Sequence, residues 1–503
     1  MFEIADCGLG APAYIWGMLD LLSPYWPHIV FALSVLMGAT AAIHAAMTKE
    51  EVRSAIGWVG VIVLSPLIGA LLYLVVGINR IRRTAVFNQR LLRQGDFSGH
   101  MASFDASDDI VALQFGRRFM AMKTLGDRVA RRLVTTGNSV AVLDGGDAAY
   151  ASMLEAIGSA RRSIILETYI FDRDRIGRRI VKALSEAASR GVEVRVLIDA
   201  VGARYSVPSV LGMLRDGGVT VDVFNGNVIM GLRMPYANLR THRKIMVVDG
   251  ATAFTGGINI REAFSREFTG DDCAIDTHFR ITGPAVADLF AVAAEDWRFA
   301  NGEVLTDEPW RIEPPSGEPG EALLARVVAS GPDRSLETNH KMLMGAVSVA
   351  RSSIKIISPY FLPDRELISA MATAARRGVE VDIIVPASNN LTLVDRAMTA
   401  QFDQILKGDC RIWRASGPFN HSKLMVVDGR WAYVGSSNMD PRSLRLNFEV
   451  DVEIFDSAFA EALEARFVKA LESSAPVLLD VLRARPLPVR LFERILWLGS
   501  PYL

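Results

Sequence analysis

Two long apolar runs near the amino terminus stand out from the rest of the chain. No Asp, Glu, Lys or Arg occurs in residues 21–47 or 55–79, and a polar turn at 48–54 separates the two runs. Each run is long enough for a transmembrane helix, which needs about 20 apolar residues. The pattern therefore predicts a two-helix transmembrane hairpin over residues 1–79. Two alternatives are less favoured: buried core helices, because of the run lengths, and a cleaved signal peptide, because residues 1–25 lack Lys and Arg.

Basic residues beside these runs predict the orientation of the hairpin. None precedes the first run, two lie in the turn, and five arginines follow the second run: Arg80, Arg82, Arg83, Arg90 and Arg93. Because cytoplasmic loops carry the excess of Lys and Arg, everything after the hairpin is expected on the cytoplasmic side. Residues 80–134 are interpreted as a basic juxtamembrane linker that can lie against anionic lipid; a solvated helical face explains its later charges equally well.

Beyond residue 134, strand-like and helical runs alternate, and the succession repeats. Residues 153–164 are echoed by 342–354, and each copy leads through an apolar strand to a helix that ends in Arg-Gly-Val-Glu-Val, at 190–194 and 377–381. Strand–helix–strand succession implies parallel pairing with right-handed crossovers. The sequence therefore predicts two tandem α/β sandwich domains at 135–314 and 315–503, with a Pro- and Gly-rich linker around 313–320.

Composition narrows the functional class. The 503 residues are 50% hydrophobic, which excludes intrinsic disorder. With 55 basic and 56 acidic residues the net charge is −1, so a polycation for nucleic acid is not indicated. The three cysteines, Cys7, Cys273 and Cys410, are widely spaced, which argues against a disulfide framework or a Cys-rich zinc site.

One spacing of His, Lys and Asp occurs once in each repeat. Its members are His242, Lys244 and Asp249, and His421, Lys423 and Asp428. Both copies use Lys although the chain contains 46 Arg and only 9 Lys. In an extended strand alternate side chains share a face, so the His and Lys of each copy point the same way. Each Asp falls on the other face before a turn glycine, which suggests a mainly structural role for the Asp and a catalytic role for the His/Lys pairs.

Polar residues downstream of each copy are candidates for supporting roles. Small residues after each turn allow close backbone approach, and polar side chains there can donate to an oxyanion: Asn259, Ser436 and Asn438. Further along, Asp276, with His278 two residues later, corresponds to Glu449. Because a catalytic imidazole needs a partner on its second ring nitrogen, Asp276 and Glu449 are the candidate carboxylates.

Two His/Lys pairs suit a phosphodiester substrate. Two ammonium groups offset the charge of the non-bridging oxygens without a metal. One imidazole can attack phosphorus to give a phosphohistidine, while the other protonates the departing oxygen and then deprotonates the incoming alcohol or water. Since each half supplies one His, the halves are expected to meet about a pseudo-twofold axis with the site at their seam. The alternative of two structural histidines is disfavoured by the matched spacing.

These motifs resemble the phospholipase D superfamily and, within it, the bacterial cardiolipin synthases. The superfamily resemblance rests on the duplicated motif and its glycine-rich sequel; the narrower one rests on residues 65–73, 276–278, 358–364 and 500–503. It implies transfer of a phosphatidyl group between two phosphatidylglycerol molecules with release of glycerol and without a metal or other cofactor. It also implies that both copies of the motif carry over as active-site residues, and that the protein is a multi-pass protein of the bacterial inner membrane. One departure is Gly257, where the family commonly has Ser.

Several alternatives remain open from the residues. A hydrolytic phospholipase D would use the same groups with water as acceptor, and a lipid-binding scaffold would not need them. A nuclease is disfavoured by the hairpin and the neutral charge. His242 is the preferred nucleophile, but the sequence does not decide between the two histidines, nor does it determine the oligomeric state. Residues 487–498 fit a helix on the core or one on the membrane surface.

Overall fold

The computed structural model describes residues 23–49, 52–77, 102–225, 239–306, 308–312, 323–332 and 335–500. The chain divides into two compact units, of which the smaller holds the described residues up to 77 and the larger holds those from 102 onward. The segments at 80–101, 313–320 and 501–503 lie outside the described residues. They include the five arginines used to predict the orientation and the predicted interdomain linker.

The small unit contains one helix long enough to cross a membrane. Helix α1, Trp26–Thr48, has 23 residues and a mean hydropathy of 2.0, and among the described helices it alone has the length and composition of a span. The second predicted run is not one helix. It forms α2 (Val52–Leu64), a break at Ser65, and α3 (Pro66–Leu72) followed by a π-helical turn, Tyr73–Gly77.

The break in the second run has a local cause. Pro66 has no backbone N–H and its ring clashes with a preceding carbonyl, so α2 cannot continue through it. The 13 residues of α2 rise only about 20 Å, against roughly 30 Å of hydrocarbon in a bilayer. Helix α3 then packs on α2, since a Cβ on Gly69 would lie 2.7 Å from the Ile62 Cα. The predicted two-helix transmembrane hairpin is therefore not confirmed.

The large unit is built on one mixed sheet. Its sixteen described strands are β1 Thr135–Asp144, β2 Ser163–Thr168, β3 Glu193–Asp199, β4 Thr220–Phe224, β5 Arg240–Thr241, β6 Ile245–Val248, β7 Thr252–Gly256, β8 Thr277–Thr282, β9 Leu323–Ser330, β10 Ser353–Ile357, β11 Glu380–Pro386, β12 Arg411–Ala415, β13 Leu424–Val427, β14 Trp431–Gly435, β15 Asn447–Phe455 and β16 Ser474–Pro476. Apart from β5, which pairs with β15, they follow the order β16-β12-β11-β10-β13-β14-β15-β9-β1-β8-β7-β6-β2-β3-β4.

Apart from the edge strand β16, this strand order is symmetric about the β9–β1 pair, which joins the two halves. In each half three strands are parallel and the strands nearer the centre are antiparallel: β2 runs parallel to β3 and antiparallel to β6, and β10 runs parallel to β11 and antiparallel to β13. The edge strand β16 is antiparallel to β12. The structure thus confirms two tandem α/β domains related by a pseudo-twofold axis. Residues 135–144 and 323–330 provide the seam at which the two sheets become one.

Helices cover both faces of this sheet. Those of the large unit are α4 Asp108–Phe115, α5 Arg117–Ala130, α6 Gly145–Ser159, α7 Arg175–Ser189, α8 Leu211–Asp216, α9 Arg266–Thr269, α10 Ala285–Asn301, α11 Thr338–Val349, α12 Arg365–Arg376, α13 Thr392–Leu406, α14 Pro441–Arg445, α15 Ser457–Glu472, α16 Leu479–Ala484 and α17 Leu487–Leu498. Helix α7 is amphipathic and buries Ile180 and Leu184 in the core of the first half. Helix α12 likewise buries Leu367 and Met371 in the separate core of the second half.

Part of the segment interpreted as a linker belongs to the core. Val111 and Phe115 of α4 and Phe119 and Met122 of α5 are buried in the hydrophobic cluster of the second half. Arg118 of α5 also forms an ion pair with Asp428. Residues 108–130 are therefore folded onto the second α/β half, although they precede the first half in the chain. The predicted domain boundaries remain predictions.

Candidate active site

The site lies where two backbone hydrogen bonds join the halves, one from each motif histidine to the opposite half. The His242 N–H donates to the Phe448 carbonyl at 2.8 Å, and the His421 N–H donates to the Ile275 carbonyl at 2.7 Å. Strand β5 extends the first of these contacts by pairing with the start of β15. In both cases the acceptor immediately precedes a carboxylate residue of the opposite half, so each histidine is held beside a carboxylate that its own half does not supply.

The side chains complete this exchange. Glu449 Oε2 lies 2.9 Å from His242 Nδ1, and Asp276 Oδ2 lies 2.7 Å from His421 Nδ1. All four side chains are buried or nearly so. A carboxylate on Nδ1 fixes the ring and its tautomer, and leaves Nε2 of each imidazole as the reactive nitrogen. The structure therefore joins both histidines and both candidate carboxylates in one cluster.

The lysines belong to the same cluster. Lys244 Nζ donates to the His242 carbonyl at 2.6 Å; Lys423 Nζ donates to the His421 carbonyl and lies 3.0 Å from His421 Nδ1. Burial lowers the pKa of Lys244 to about 7 and that of Lys423 to about 8, against the attraction of Glu449 and Asp276. Because each ammonium group interacts with carboxylates of both halves, the two motifs share one electrostatic environment.

Burial also favours neutral imidazoles. It lowers the pKa of His421 to about 4, assisted by the neighbouring Lys423 and opposed by Asp276. The pKa of His242 is lowered as well, by burial in the first place and against the attraction of Glu449. Burial alone would raise the pKa of Glu449, but the charges of His242 and Lys244 hold it below its usual value. A neutral imidazole with a free Nε2 lone pair is a competent nucleophile.

The two carboxylates have different surroundings. Glu449 accepts hydrogen bonds from Ser436 Oγ at 2.6 Å, Ser443 Oγ at 2.8 Å and Asn447 Nδ2 at 3.2 Å. At the position equivalent to Ser436 stands Gly257, where an added Cβ would lie 2.5 Å from Asp276 Oδ2 and 2.7 Å from its Cγ. The Asp276 carboxylate thus lies in the space that a side chain would need, which explains the departure from Ser in the first half.

The remaining supporting residues are placed less uniformly. Asn259 uses its Oδ1 to accept from the Ile170 N–H at 3.2 Å, so it holds the loop after β2. Asn438 is buried, and its Oδ1 has no hydrogen-bond partner among the described residues. The same is true of Nδ1 of the buried His278, whose pKa burial lowers to about 4. In the second half the place of His278 is taken by Asp451, whose pKa burial raises to about 7.

The two motif aspartates lie at the opposite ends of strands β6 and β13 from the histidines. Asp249 accepts from the backbone N–H groups of residues 161, 162 and 163, and Asp428 accepts from those of residues 351, 352 and 353. Both adopt left-handed backbone conformations, with φ of 53° and 55°, in the turn that follows the strand. Through these contacts each aspartate holds the turn after its own strand against the residues that lead into β2 or β10.

Aromatic rings around the histidines were not identified from the sequence. Tyr169 lies edge-on to His242 at 5.3 Å, while Tyr360, Phe419 and Phe264 surround His421 at 6.2, 5.7 and 6.0 Å between ring centroids. Tyr169 and Tyr360 could have been found from the sequence, because the first strand of each repeat ends in aromatic residues. Such rings exclude water and give the site an apolar wall.

One group of metal-ligating side chains occurs in the described part of the chain. His340, Asp364 and Glu366 have ligand atoms within 4.8 Å of one another, at the start of α11 and α12. His340 Nε2 lies 2.9 Å from Asp364 Oδ2, and this hydrogen bond raises the pKa of the imidazole. The group does not include either His/Lys pair.

Comparison with known proteins gives consistent matches along the chain. A family model described as "Cardiolipin synthase, PLD-like domain" matches residues 153–276 and 343–471, and one described as "Phospholipase_D-nuclease N-terminal" matches residues 36–77. A cardiolipin synthase of Geobacillus sp. (strain WCH70) is 31% identical over 96% of this chain and 97% of that protein. Cardiolipin synthase A of Pseudomonas aeruginosa (strain LESB58) is 34% identical over 90% of this chain and 92% of that protein.

A solved structure shares the fold of the large unit. The crystal structure of phosphatidylserine synthase from Haemophilus influenzae Rd KW20 superimposes with a TM-score of 0.58, covering 76% of this chain and 100% of that chain. The sequence identity is 17%, so this likeness concerns the fold alone.

Proposed function

Because the chain belongs to the cardiolipin synthase family of the phospholipase D superfamily, we propose that it transfers a phosphatidyl group from one phosphatidylglycerol to another, giving cardiolipin and glycerol. The observation that carries this proposal is the exchange of carboxylates, by which Glu449 holds His242 and Asp276 holds His421 in one buried cluster. Two oriented imidazoles beside two lysines match a double displacement at phosphorus.

The reaction is proposed to run in two displacements. In the first, Nε2 of one imidazole attacks phosphorus and the bond from phosphorus to the oxygen of the glycerol headgroup breaks. The second imidazole, which gains its proton as the anionic phosphodiester binds beside it, gives that oxygen a proton. In the second, the now neutral second imidazole takes the proton of an incoming phosphatidylglycerol hydroxyl, whose oxygen displaces the histidine. We keep His242 as the proposed nucleophile, and trapping the phosphohistidine by rapid acid-free quench and mass spectrometry of labelled peptides tests this assignment.

The lysines and the loop residues are proposed to stabilise the transferring phosphoryl group. Lys244 and Lys423 offset the charge of the non-bridging oxygens, a role that ammonium groups perform best when water is excluded. Ser436 is proposed to support the cluster through Glu449, to which its Oγ donates, and Asn438 as a further donor. Asn259 is proposed to support it through the loop after β2. Asp249 and Asp428 act through the turns that end strands β6 and β13.

The protein is membrane-associated, and we propose a specific arrangement. Both apolar segments of the small unit are taken to lie in the bacterial inner membrane as a multi-pass anchor, with domains at 135–314 and 315–503 on the cytoplasmic side. Its lipid partners are then phosphatidylglycerol and other anionic lipids, with no role for nucleic acid. Protease treatment of inverted and of right-side-out membrane vesicles tests the orientation: cleavage of the large unit only in right-side-out vesicles would contradict it.

The activity is tested with the purified full chain in liposomes of labelled phosphatidylglycerol without divalent metal. Cardiolipin with an equal amount of glycerol is expected; phosphatidic acid alone would instead indicate hydrolysis, and no turnover by folded protein would contradict the proposal. His242→Ala and His421→Ala should each remove nearly all turnover. His28→Ala, at an exposed position of α1, is the matched control and should keep the wild-type rate.

A further inference from the structure

Helix α17 buries its charge and exposes its apolar side chains. Glu493 is only 1% exposed and lies on the side of α17 that faces the second α/β half. There its carboxylate pairs with Arg485 at 2.8 Å and with Arg396 of α13 at 3.4 Å. Leu496 and Trp497 pack against the core of the second half beside it. The helix is therefore anchored to the domain on this side through both ion pairs and apolar contacts.

The outer side of the helix is apolar. Leu487, Leu491, Phe492, Ile495 and Leu498 are between 52% and 72% exposed. At about 100° per residue, Leu491 and Ile495 each lie roughly 200° around the helix from Glu493. A helix on the surface of a water-soluble domain shows the reverse distribution, with apolar residues toward the core. The helix thus packs on the core, as one of the two sequence alternatives predicts, and it presents an apolar face outward.

Other exposed apolar side chains extend this face toward the active site. Leu478 and Val481 beside and within α16, and Leu391 and Leu393 at the start of α13, are between 48% and 63% exposed. We call these four residues and the five on α17 the carboxyl-terminal patch. Next to Leu391, the Asn390 side chain accepts a hydrogen bond of 2.7 Å from Tyr360, whose ring lies edge-on to His421.

Positive charge borders the patch. Residues 479–500 contain four arginines and two acidic residues. Arg490 is exposed, and the guanidinium of Arg494 lies 5.5 Å from the Trp497 ring centre. Arginines next to apolar side chains can bury their stems in a lipid interface while their charged ends bind phosphate groups. The same arginines disfavour the burial of this face against a second copy of the chain, since like charges would then approach one another.

We propose that the carboxyl-terminal patch inserts into the interfacial layer of an anionic phospholipid bilayer. The site then opens beside the surface of the membrane that holds its substrate, and a lipid headgroup reaches His421 past Tyr360 without leaving the bilayer. This inference rests on the proposed function, which it deepens by identifying the surface through which the site receives phosphatidylglycerol.

The first test measures depth in the membrane. The full chain, with its three native cysteines replaced by Ser, carries an environment-sensitive fluorophore on Leu491→Cys or on the control Val468→Cys, an exposed apolar position of α15. In phosphatidylglycerol liposomes, the label at 491 should shift to shorter wavelength and be quenched by nitroxide-bearing lipids, whereas the label at 468 should not. Equal quenching at both positions would overturn the proposal. If the 491 label in detergent instead became more buried as the protein concentration rose, the patch would be contacting a second copy of the chain, and the proposal would be overturned.

The second test measures how the patch affects turnover. For Leu491→Glu, the ratio of the rate on vesicles to the rate on lipid dispersed in detergent micelles should fall by at least about fivefold, because a charged side chain opposes insertion. For Val468→Glu this ratio should stay at the wild-type value. An unchanged ratio for Leu491→Glu with intact activity would refute the patch and leave the proposed function standing. Absence of turnover by the wild-type protein on both lipid forms would refute the proposed function itself.

Discussion

The glycine at position 257 offers a sharp test of the site. A methyl group there would come within 2.5 Å of Asp276 Oδ2, closer than non-bonded atoms approach, so Gly257→Ala must displace the Asp276 carboxylate. That carboxylate holds His421 through a 2.7 Å hydrogen bond. The substitution changes no charge and removes no functional group, so its effect comes from geometry alone.

The expected loss can be worked from this single contact. A hydrogen bond to a charged group contributes about 1.5–3 kcal/mol. If the contact is lost in the transition state, kcat/KM should fall by roughly 10- to 150-fold. Gly257→Ser should be less harmful than Gly257→Ala, provided that its hydroxyl donates to the displaced carboxylate as Ser436 does to Glu449.

The assay is the initial rate of cardiolipin formation in liposomes, with thermal unfolding measured in parallel. Gly158→Ala is the matched control, because nothing lies within 4 Å of a Cβ at that position of α6. It should keep the wild-type rate. If Gly257→Ala retained kcat/KM within about twofold of wild type, the dependence of His421 on Asp276 would be refuted.

Three further predictions follow from the site and its anchors. Glu449→Gln should lower kcat by about 10-fold or more, with KM changing less, because the amide removes the charge that stabilises the positive His242 ring as Nε2 bonds to phosphorus. A change in KM with kcat unaltered would contradict this. The pKa values of Lys244 and Lys423 are about 7 and 8, so both ammonium groups are charged only below these values. The kcat/KM, which reports the free enzyme, should therefore decline as the pH rises through 7 and 8. A pH profile of kcat/KM that stays flat to about pH 9 would exclude the proposed role of the lysines. Asp428→Ala should lower the free energy of unfolding by about 2–4 kcal/mol through the amides it leaves unpaired, measured by denaturant titration, whereas the exposed Asp480→Ala should change it by less than about 0.5 kcal/mol.

The sequence predicted the fold class, and it named the two histidines and the two carboxylates that the structure brings together in the candidate site. Strand periodicity predicted that His242 and Lys244 share a face. In the structure both residues precede β6, where Lys244 donates to the His242 carbonyl, and Asp249 lies in the turn after β6. The duplication predicted the two halves because each copy repeats the same local signals in the same order. Such signals depend on neighbouring residues, and neighbours along the chain are what a sequence displays directly.

The meeting of the two halves was predicted, but other features that depend on packing between distant segments were not. The apolar composition of residues 55–79 indicated a second span, but Pro66 and the close contact at Gly69 divide it into shorter helices. Residues 108–130 were interpreted as linker, since nothing local shows that Phe119 fits a core built two hundred residues later. The aromatic walls around the histidines were missed for the same reason.

The amino-acid sequence by itself determined the candidate groups for the chemistry: two imidazoles, two ammonium groups and two carboxylates at fixed spacings. Only the tertiary structure decided that the carboxylates are exchanged, with Glu449 beside His242 and Asp276 beside His421. It also decided that α17 turns Glu493 inward. The physical reason is that the partner of a side chain across a domain interface depends on which surfaces pack together and on which charges neutralise one another. Both are set only when the chain has folded.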